Sequence, residues 1–198
     1  LKYKGAPTEV IIGNGNTIRE YVTINRATEE GEETKIGDNN LLMAYCHLGH
    51  NCELGNGIIM SNGIQVAGHV VIEDRAVIGG CLGIHQFVHI GGLAMVGGMT
   101  RVDRDVPPYC LVEGHPGRLR GLNRVGLRRC GFDMHEGGEL RQLQEIWELL
   151  FRSDNVIAES LKLAMQKELM PAADHLCRFM KSSIKKGRRG PMPLSINK

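Results

Sequence analysis

Aliphatic residues and methionine return at every sixth position through the first half of the chain: Ile36, Leu42, Leu48, Leu54, Met60, Val66, Ile72, Ile78, Ile84, Ile90, Val96 and Val102. An α-helix buries positions at a spacing of 3.6 and a half-buried strand at a spacing of two, so neither accounts for this period. Six suits short strands wound into a solenoid, in which each coil covers the apolar position of the one before. The second position of each hexad is often small, as at Gly37, Gly49, Gly55, Ser61, Ala67, Gly79, Gly91 and Gly97, which predicts sharp backbone turns there. The fifth is compact or branched, with Cys46, Cys52, Ile58, Ile64, Val70, Ala76, Val88, Ala94 and Thr100, and is expected inside. The same phase runs back through Ile24 and Ile18 to Ile12. It is broken by the polar stretch 26–34, which reads as a loop that leaves one face and returns in register.

After Val102 the repeat stops at Asp105, Val106, Pro107, Pro108 and Tyr109, where two prolines lack donors and fix φ. The expected division is a solenoid over 1–107 and an α-helical region over 108–198. Within the second region, Asp133 and Glu136 have the spacing of a capping box, ahead of Leu140, Leu143, Trp147, Leu150 and Phe151 at helical spacing. Further helices are expected from about 155 to 169 and from Pro171 through Leu176, Phe179 and Met180. The basic run Lys185 to Arg189, followed by prolines, reads as a frayed end.

Composition narrows the class of protein. The 198 residues are 42% hydrophobic and 5% aromatic with a net charge of +2, ample for one solenoid and a smaller domain. No apolar run is long enough to cross a bilayer and no secretory signal pattern opens the sequence, so the expected location is cytoplasmic. The six cysteines show no C-x-x-C spacing and read as buried thiols rather than disulfides or zinc ligands. The chain begins at Leu1, almost directly in repeat sequence without a capping element, which creates an expectation of further coils upstream.

The coil arithmetic shows where chemistry gathers. If three hexads make one coil, residues eighteen apart stack at roughly 4.8 Å. His50 then lies under Gly68 and Gly68 under Gln86, flanked on one side by Asn51, His69 and Phe87 and on the other by Gly49, Ala67 and His85. His47 precedes the same corner, and the 26–34 loop leaves just below it. Imidazole suits removal of a hydroxyl proton near neutral pH, and it is also a common zinc ligand.

The hexads resemble those of left-handed parallel β-helices, triangular prisms with eighteen residues per coil. The hexapeptide carbonic anhydrases share that fold and hold a metal with three histidines. Their pattern requires histidines where this chain, counted from His50, has Gln86 and Gly91, so no metal site is expected. A closer resemblance lies in the runs Asn39 to Met43 (NNLLM), His47 to His50 (HLGH), Val66 to Val70 (VAGHV), Ile84 to Phe87 (IHQF), Ala94 to Gly98 (AMVGG), Asp105 to Tyr109 (DVPPY) and Gly126 to Phe132 (GLRRCGF). In that order they resemble the acyl-carrier-protein-dependent UDP-N-acetylglucosamine O-acyltransferases. The match extends from Leu1 to about Phe151, with weaker likeness beyond.

That resemblance implies an all-β left-handed parallel β-helix followed by a small helical domain, assembled as a homotrimer with sites between adjacent prisms. It implies transfer of a (R)-3-hydroxyacyl group from acyl carrier protein to the 3-hydroxyl of UDP-N-acetylglucosamine, the first step of lipid A synthesis, without a cofactor. His50 would be the general base and the Gly68 N–H an oxyanion donor. Lys2, His47, His69, His85 and Gln86 would hold the acceptor, while Asn123 and Arg129 would serve the nucleotide or the incoming pantetheine. Met95 and Gly98 would lie along the acyl groove, with Gly98 leaving room for a long chain. Arg118, Arg120, Arg124, Arg128 and Arg129, with no acid among them, fit docking of an acidic carrier protein. No aromatic stacking platform accompanies them, so nucleic acid is not expected.

Two departures bear on activity. The family commonly has an acid beside its catalytic histidine, where this chain has Asn51, and the family's acceptor-binding acid falls just before Leu1. The alternatives to the leading reading are a hexapeptide acyltransferase for another sugar nucleotide and a catalytically impaired trimeric scaffold.

Overall fold

A computed structural model of the chain describes residues 3–132 and 138–195. Its first half is a left-handed parallel β-helix with three faces. The first face stacks strands Glu9–Ile12, Glu33–Ile36, Glu53–Leu54, Val71–Ile72 and His89–Ile90. The second stacks Thr17–Ile18, Leu41–Leu42, Ile59–Met60, Val77–Ile78 and Met95–Val96, and the third stacks Thr23–Ile24, His47–Leu48, Gln65–Val66, Gly83–Ile84 and Arg101–Val102. Every neighbouring pair within these three stacks is parallel.

Register follows the hexads. Strands pair eighteen residues apart, as Lys35 with Glu53, except across the first coil, where Glu9 meets Glu33. That coil is one hexad longer, and the excess falls within the 26–34 excursion. From Ile36 to Val102 the period-six residues are buried in one continuous core with the fifth-position side chains Cys46, Cys52, Ile58, Ile64, Val70 and Ala76. Ile12 and Ile18 keep the phase but are exposed on the first coil. Buried Asn40 is matched on both sides: its Oδ1 accepts from Ile58 N at 2.7 Å and its Nδ2 donates to Gly55 O at 3.0 Å.

The small second position has a different cause from the one expected. The left-handed corner residue is the fourth of each hexad, with positive φ at Asn39, Tyr45, Asn51, His69, Arg75, Phe87 and Leu93. The second position is small because the backbone one coil above closes over it. A Cβ on Gly49 would stand 2.7 Å from the nitrogen of Gly68, inside any permitted contact.

The sheet outlasts the repeat. Cys110–Glu113 stacks in parallel on Met95–Val96, and Arg118–Leu122 pairs antiparallel with it, a hairpin the hexad pattern did not reveal. Helix α1 (Arg124–Arg129) follows, capped by the Asn123 side chain, whose Oδ1 accepts from Gly126 N at 3.1 Å. Helices α2 (Glu139–Phe151), α3 (Ile157–Ala164) and α4 (Pro171–Ser183) pack on one another through Leu140, Leu143, Trp147, Leu161, Leu176 and Phe179. The Asp133 and Glu136 of the expected capping box lie outside the described residues. Helix α3 stops at Ala164, short of the expected 169, with Met165 as its C-terminal cap. Among the described residues, no helix is long and apolar enough to cross a membrane.

The basic tail is ordered rather than frayed. Arg188 lays its guanidinium on buried Asp105, Nη2 at 2.7 Å from Oδ1 and Nε at 3.0 Å from Oδ2. Ser183 Oγ and the His89 N–H also donate to that carboxylate, and Pro191 and Leu194 bridge to Asp105 and Leu119. Sequence polarity concealed this because the partner acid lies 83 residues earlier.

A second carboxylate fastens α4 to the prism. Glu73 Oε2 lies 2.9 Å from His175 Nε2, and Oε1 lies 2.8 Å from His89 Nε2. Burial alone would raise this carboxyl's pKa, but the hydrogen bonds and charges of His175 and His89 outweigh it and hold the group well below the usual carboxylate range. A carboxylate depressed in the folded state stabilises it above the unfolded pKa, and that contribution disappears as pH falls through the folded value. Glu73→Gln should therefore cost roughly 1.5–3 kcal/mol at neutral pH. In denaturant titrations at a series of pH values, the gap between the two proteins should close under strong acid, and a pH-independent gap would count against the ion pair.

Candidate active site

Three consecutive coils bring the sequence-distant histidines to the corner between the third and first faces. His50 and His69 stand edge to face with ring centroids 5.0 Å apart, and His69 stacks on Phe87 at 4.9 Å. The backbone aligns them, with His69 N donating to His50 O at 2.9 Å and Phe87 N to Gly68 O at 3.2 Å. Gly68 lies directly against the imidazole of His50. A Cβ there would fall 2.6 Å from both Cε1 and Nε2, so the ring occupies the space that a side chain would take.

The protons at this corner follow from fixed partners. His50 Nδ1 is 2.9 Å from Asn51 Oδ1, an amide oxygen that can only accept, so Nδ1 carries the hydrogen and Nε2 is left as a base. His85 Nδ1 likewise faces the Gln86 carbonyl at 3.0 Å, while its Nε2 meets Arg189 Nη2 at 3.2 Å. His47 Nδ1 is 2.8 Å from Thr23 Oγ1.

His47, His50, Gly68 and His85 line one cleft of about 490 Å³ along the third face, with Asn25, Gln65, Gly83, Arg101 and Asp103. These last five were not singled out from sequence. Gln65, Gly83 and Arg101 continue the outward column that starts at His47, at steps of eighteen, and that spacing was the signal that could have found them. Gly83 opens the cleft, since a Cβ there would approach nothing closer than Gln65 O at 4.0 Å. Gln86 and His85 line an adjoining pocket whose far wall is the tail, Gly187 to Arg189.

The remaining candidates do not join this cleft within one prism. Met95 lies on the second face, and Gly98 at its far corner, where a Cβ would meet Gly80 O at 3.4 Å. Asn123 caps α1 and donates to Leu93 O at 3.0 Å, and Arg129 ends the same helix. Lys2 lies outside the described residues. Among the described residues, no three His, Cys, Asp or Glu side chains are grouped as a metal site requires.

The left-handed prism is that of hexapeptide-repeat proteins, and residues 33–63 match the bacterial transferase hexapeptide repeat, which places the chain in the transferase class. Residues 105–192 match the second domain of UDP N-acetylglucosamine O-acyltransferases. The chain is 53% identical over 194 residues to the acyl-(acyl-carrier-protein)–UDP-N-acetylglucosamine O-acyltransferase of Synechocystis and 50% identical to that of Gloeothece citriformis, spanning 98% of this chain and 69% of each relative. The crystal structure of Arabidopsis UDP-N-acetylglucosamine acyltransferase superposes with a TM-score of 0.91 at 40% identity, over 97% of this chain and 68% of that one. The chain belongs to the UDP-N-acetylglucosamine O-acyltransferase family.

Gly68→Ala should displace the imidazole of His50 without unfolding the solenoid. The measurement is the His50 Hε1 resonance alongside thermal unfolding. The resonance should shift while the melting temperature stays within a few degrees, and an unmoved resonance would mean the ring does not rest on Gly68.

Proposed function

We propose that this chain transfers a (R)-3-hydroxyacyl group from acyl carrier protein to the 3-hydroxyl of UDP-N-acetylglucosamine, the first step of lipid A synthesis. The observation that carries this reading is the bare Nε2 of His50 lying against the Gly68 backbone in the cleft that also holds His47, Gln65, His85 and Arg101. His50 Nε2 takes the proton of the sugar hydroxyl as that oxygen attacks the thioester carbonyl. Charge developing on the carbonyl oxygen is met by the Gly68 N–H, which is fixed in place before the reaction. Collapse of the tetrahedral intermediate breaks the carbon–sulfur bond, and the imidazolium returns its proton to the departing thiolate. No covalent acyl-enzyme and no cofactor is required.

His47, His69, His85 and Gln86 contact the acceptor in this reading, and Lys2 joins them. Asn123 and Arg129 serve the nucleotide or the pantetheine, and they do so from a neighbouring protomer. The second face supports that arrangement, because its outward side chains form an apolar ladder from Leu41 through Ile59, Val77 and Met95 to Leu111. Ile59 is 40% exposed in the single chain. An apolar stripe of this length marks a contact surface. Setting it against the polar third face of another copy closes a three-fold ring. The acyl chain would lie along Met95 and Gly98 in the resulting groove, opposite the histidines. A carrier-protein donor and a sugar-nucleotide acceptor fit a cytoplasmic location.

Of the arginines proposed to dock the carrier, Arg118 and Arg120 have partners in the hairpin region, with Arg118 donating to Gly117 O and Arg120 lying 3.3 Å from Glu113. Arg124, Arg128 and Arg129 are exposed on α1 and suit an acidic partner.

His50→Ala should lower kcat by about 10²-fold or more in a transfer assay with (R)-3-hydroxyacyl carrier protein and UDP-N-acetylglucosamine, with the oligomer unchanged by sedimentation. Retained turnover would remove His50 as the base. Reversing Arg124 and Arg128 to glutamate should raise the KM for the carrier protein severalfold and leave that for the sugar nucleotide alone, and an unchanged carrier KM would place docking elsewhere.

A further inference from the structure

The position next to His50 holds an amide where the resemblance led to an acid, and the structure supplies the carboxylate one step away. Asn51 Nδ2 donates to Glu32 Oε2 at 2.6 Å, from the loop that interrupts the first coil. On its other side, Asn51 Oδ1 accepts from the Thr28 N–H and Thr28 Oγ1, both at 3.2 Å, besides facing His50 Nδ1 at 2.9 Å. An amide can turn over, exchanging its oxygen and nitrogen. Turned over, Asn51 would present an N–H to His50 Nδ1, the imidazole proton would move to Nε2, and the base would be lost. A carboxylate that only accepts and a backbone N–H that only donates stand on opposite sides of the amide and forbid the turn.

We propose that Glu32 is a positioning residue for this reaction: its hydrogen bond fixes the orientation of Asn51, so that His50 keeps its proton on Nδ1 and presents a bare Nε2 to the cleft. Its negative charge, carried through the polarised amide, also favours the imidazolium that forms when the sugar hydroxyl is deprotonated. Other titratable groups near the ring are His69, edge-on at 5.0 Å, and His47, His85, Arg101 and Asp103, which line the same cleft. Glu32 itself is placed by the loop, where its Oε2 also accepts from Glu29 N at 3.2 Å and Asn51 N donates to Thr34 Oγ1 at 2.8 Å. The inference rests on His50 being the base.

The test combines ¹⁵N NMR of histidine-labelled protein with kcat and KM across pH for Glu32→Ala, Glu32→Gln, Asn51→Asp and the Glu32→Ala/Asn51→Asp double variant. Glu32→Ala should mix the His50 tautomers and lower kcat about tenfold with both KM values unchanged. Glu32→Gln should move the acid limb of kcat/KM to lower pH, because the imidazolium loses a nearby negative charge. Asn51→Asp puts a carboxylate directly on Nδ1, so Glu32→Ala should cost little in that background. An unchanged tautomer in Glu32→Ala, or an equal loss in both backgrounds, would overturn the proposal and leave Glu32 as a loop support. A mixed tautomer with unchanged kcat supports the positioning and overturns instead the assignment of His50 as base.

Discussion

Backbone hydrogen bonds between residues one coil apart hold the site together, because each coil fixes the position of the next at the spacing of a parallel sheet. Gly49 N donates to Val66 O at 2.8 Å, Ala67 N to Ile84 O at 3.0 Å and His69 N to His50 O at 2.9 Å, so the corner is one vertical ladder. The same closeness sets the residue types. A side chain on Gly49 would collide with the coil above, and one on Gly68 would evict the imidazole of His50. Left-handed backbone at the fourth position costs roughly 1–2 kcal/mol for an ordinary residue. Backbone pairing between successive coils and the aliphatic column buried from Ile36 to Val102 offset that cost.

Rigid stacking explains how a cleft at the surface can be preorganised. The imidazoles sit on strand ends and corners whose backbones are bonded above and below, so their spacing does not depend on a mobile loop. The irregular element nearest His50, the excursion in the first coil, is itself tied to the corner through Asn51, Thr34 and Glu32. An insertion that lengthens one coil therefore adds a carboxylate to the site without disturbing the register of the coils that follow.

The helical region is fastened to the prism at two acids, buried Asp105 and half-buried Glu73. Asp105 gathers Arg188, Ser183 and a backbone N–H, and Glu73 gathers His89 and His175. Each links residues about 80 to 100 positions apart, and together they hold the tail against the pocket that contains His85 and Gln86. Arg189, beside the anchored Arg188, reaches that pocket and meets His85 Nε2 at 3.2 Å.

The period of six by itself determined the solenoid and its buried column, and the resemblance to three-sided prisms, which sets eighteen residues per coil, added the stacking of His50, Gly68 and Gln86, because a repeating coil converts sequence distance into height. A break in that period located the excursion, and apolar faces recurring at helical spacing located the helices around Trp147 and Phe179. What the tertiary structure decided were the features that no period encodes. These are the hairpin after the prolines, the left-handed fourth position, the ordered basic tail and the separation of Met95, Gly98, Asn123 and Arg129 from the histidine cleft of the same prism. Glu32 belongs with them: its link to Asn51 spans 19 residues, one more than a coil, and starts from the excursion rather than from a hexad. The strands on either side keep the eighteen-residue step, Lys35 with Glu53, but the excursion lies outside the repeat, and only the folded loop shows which carboxylate faces which amide.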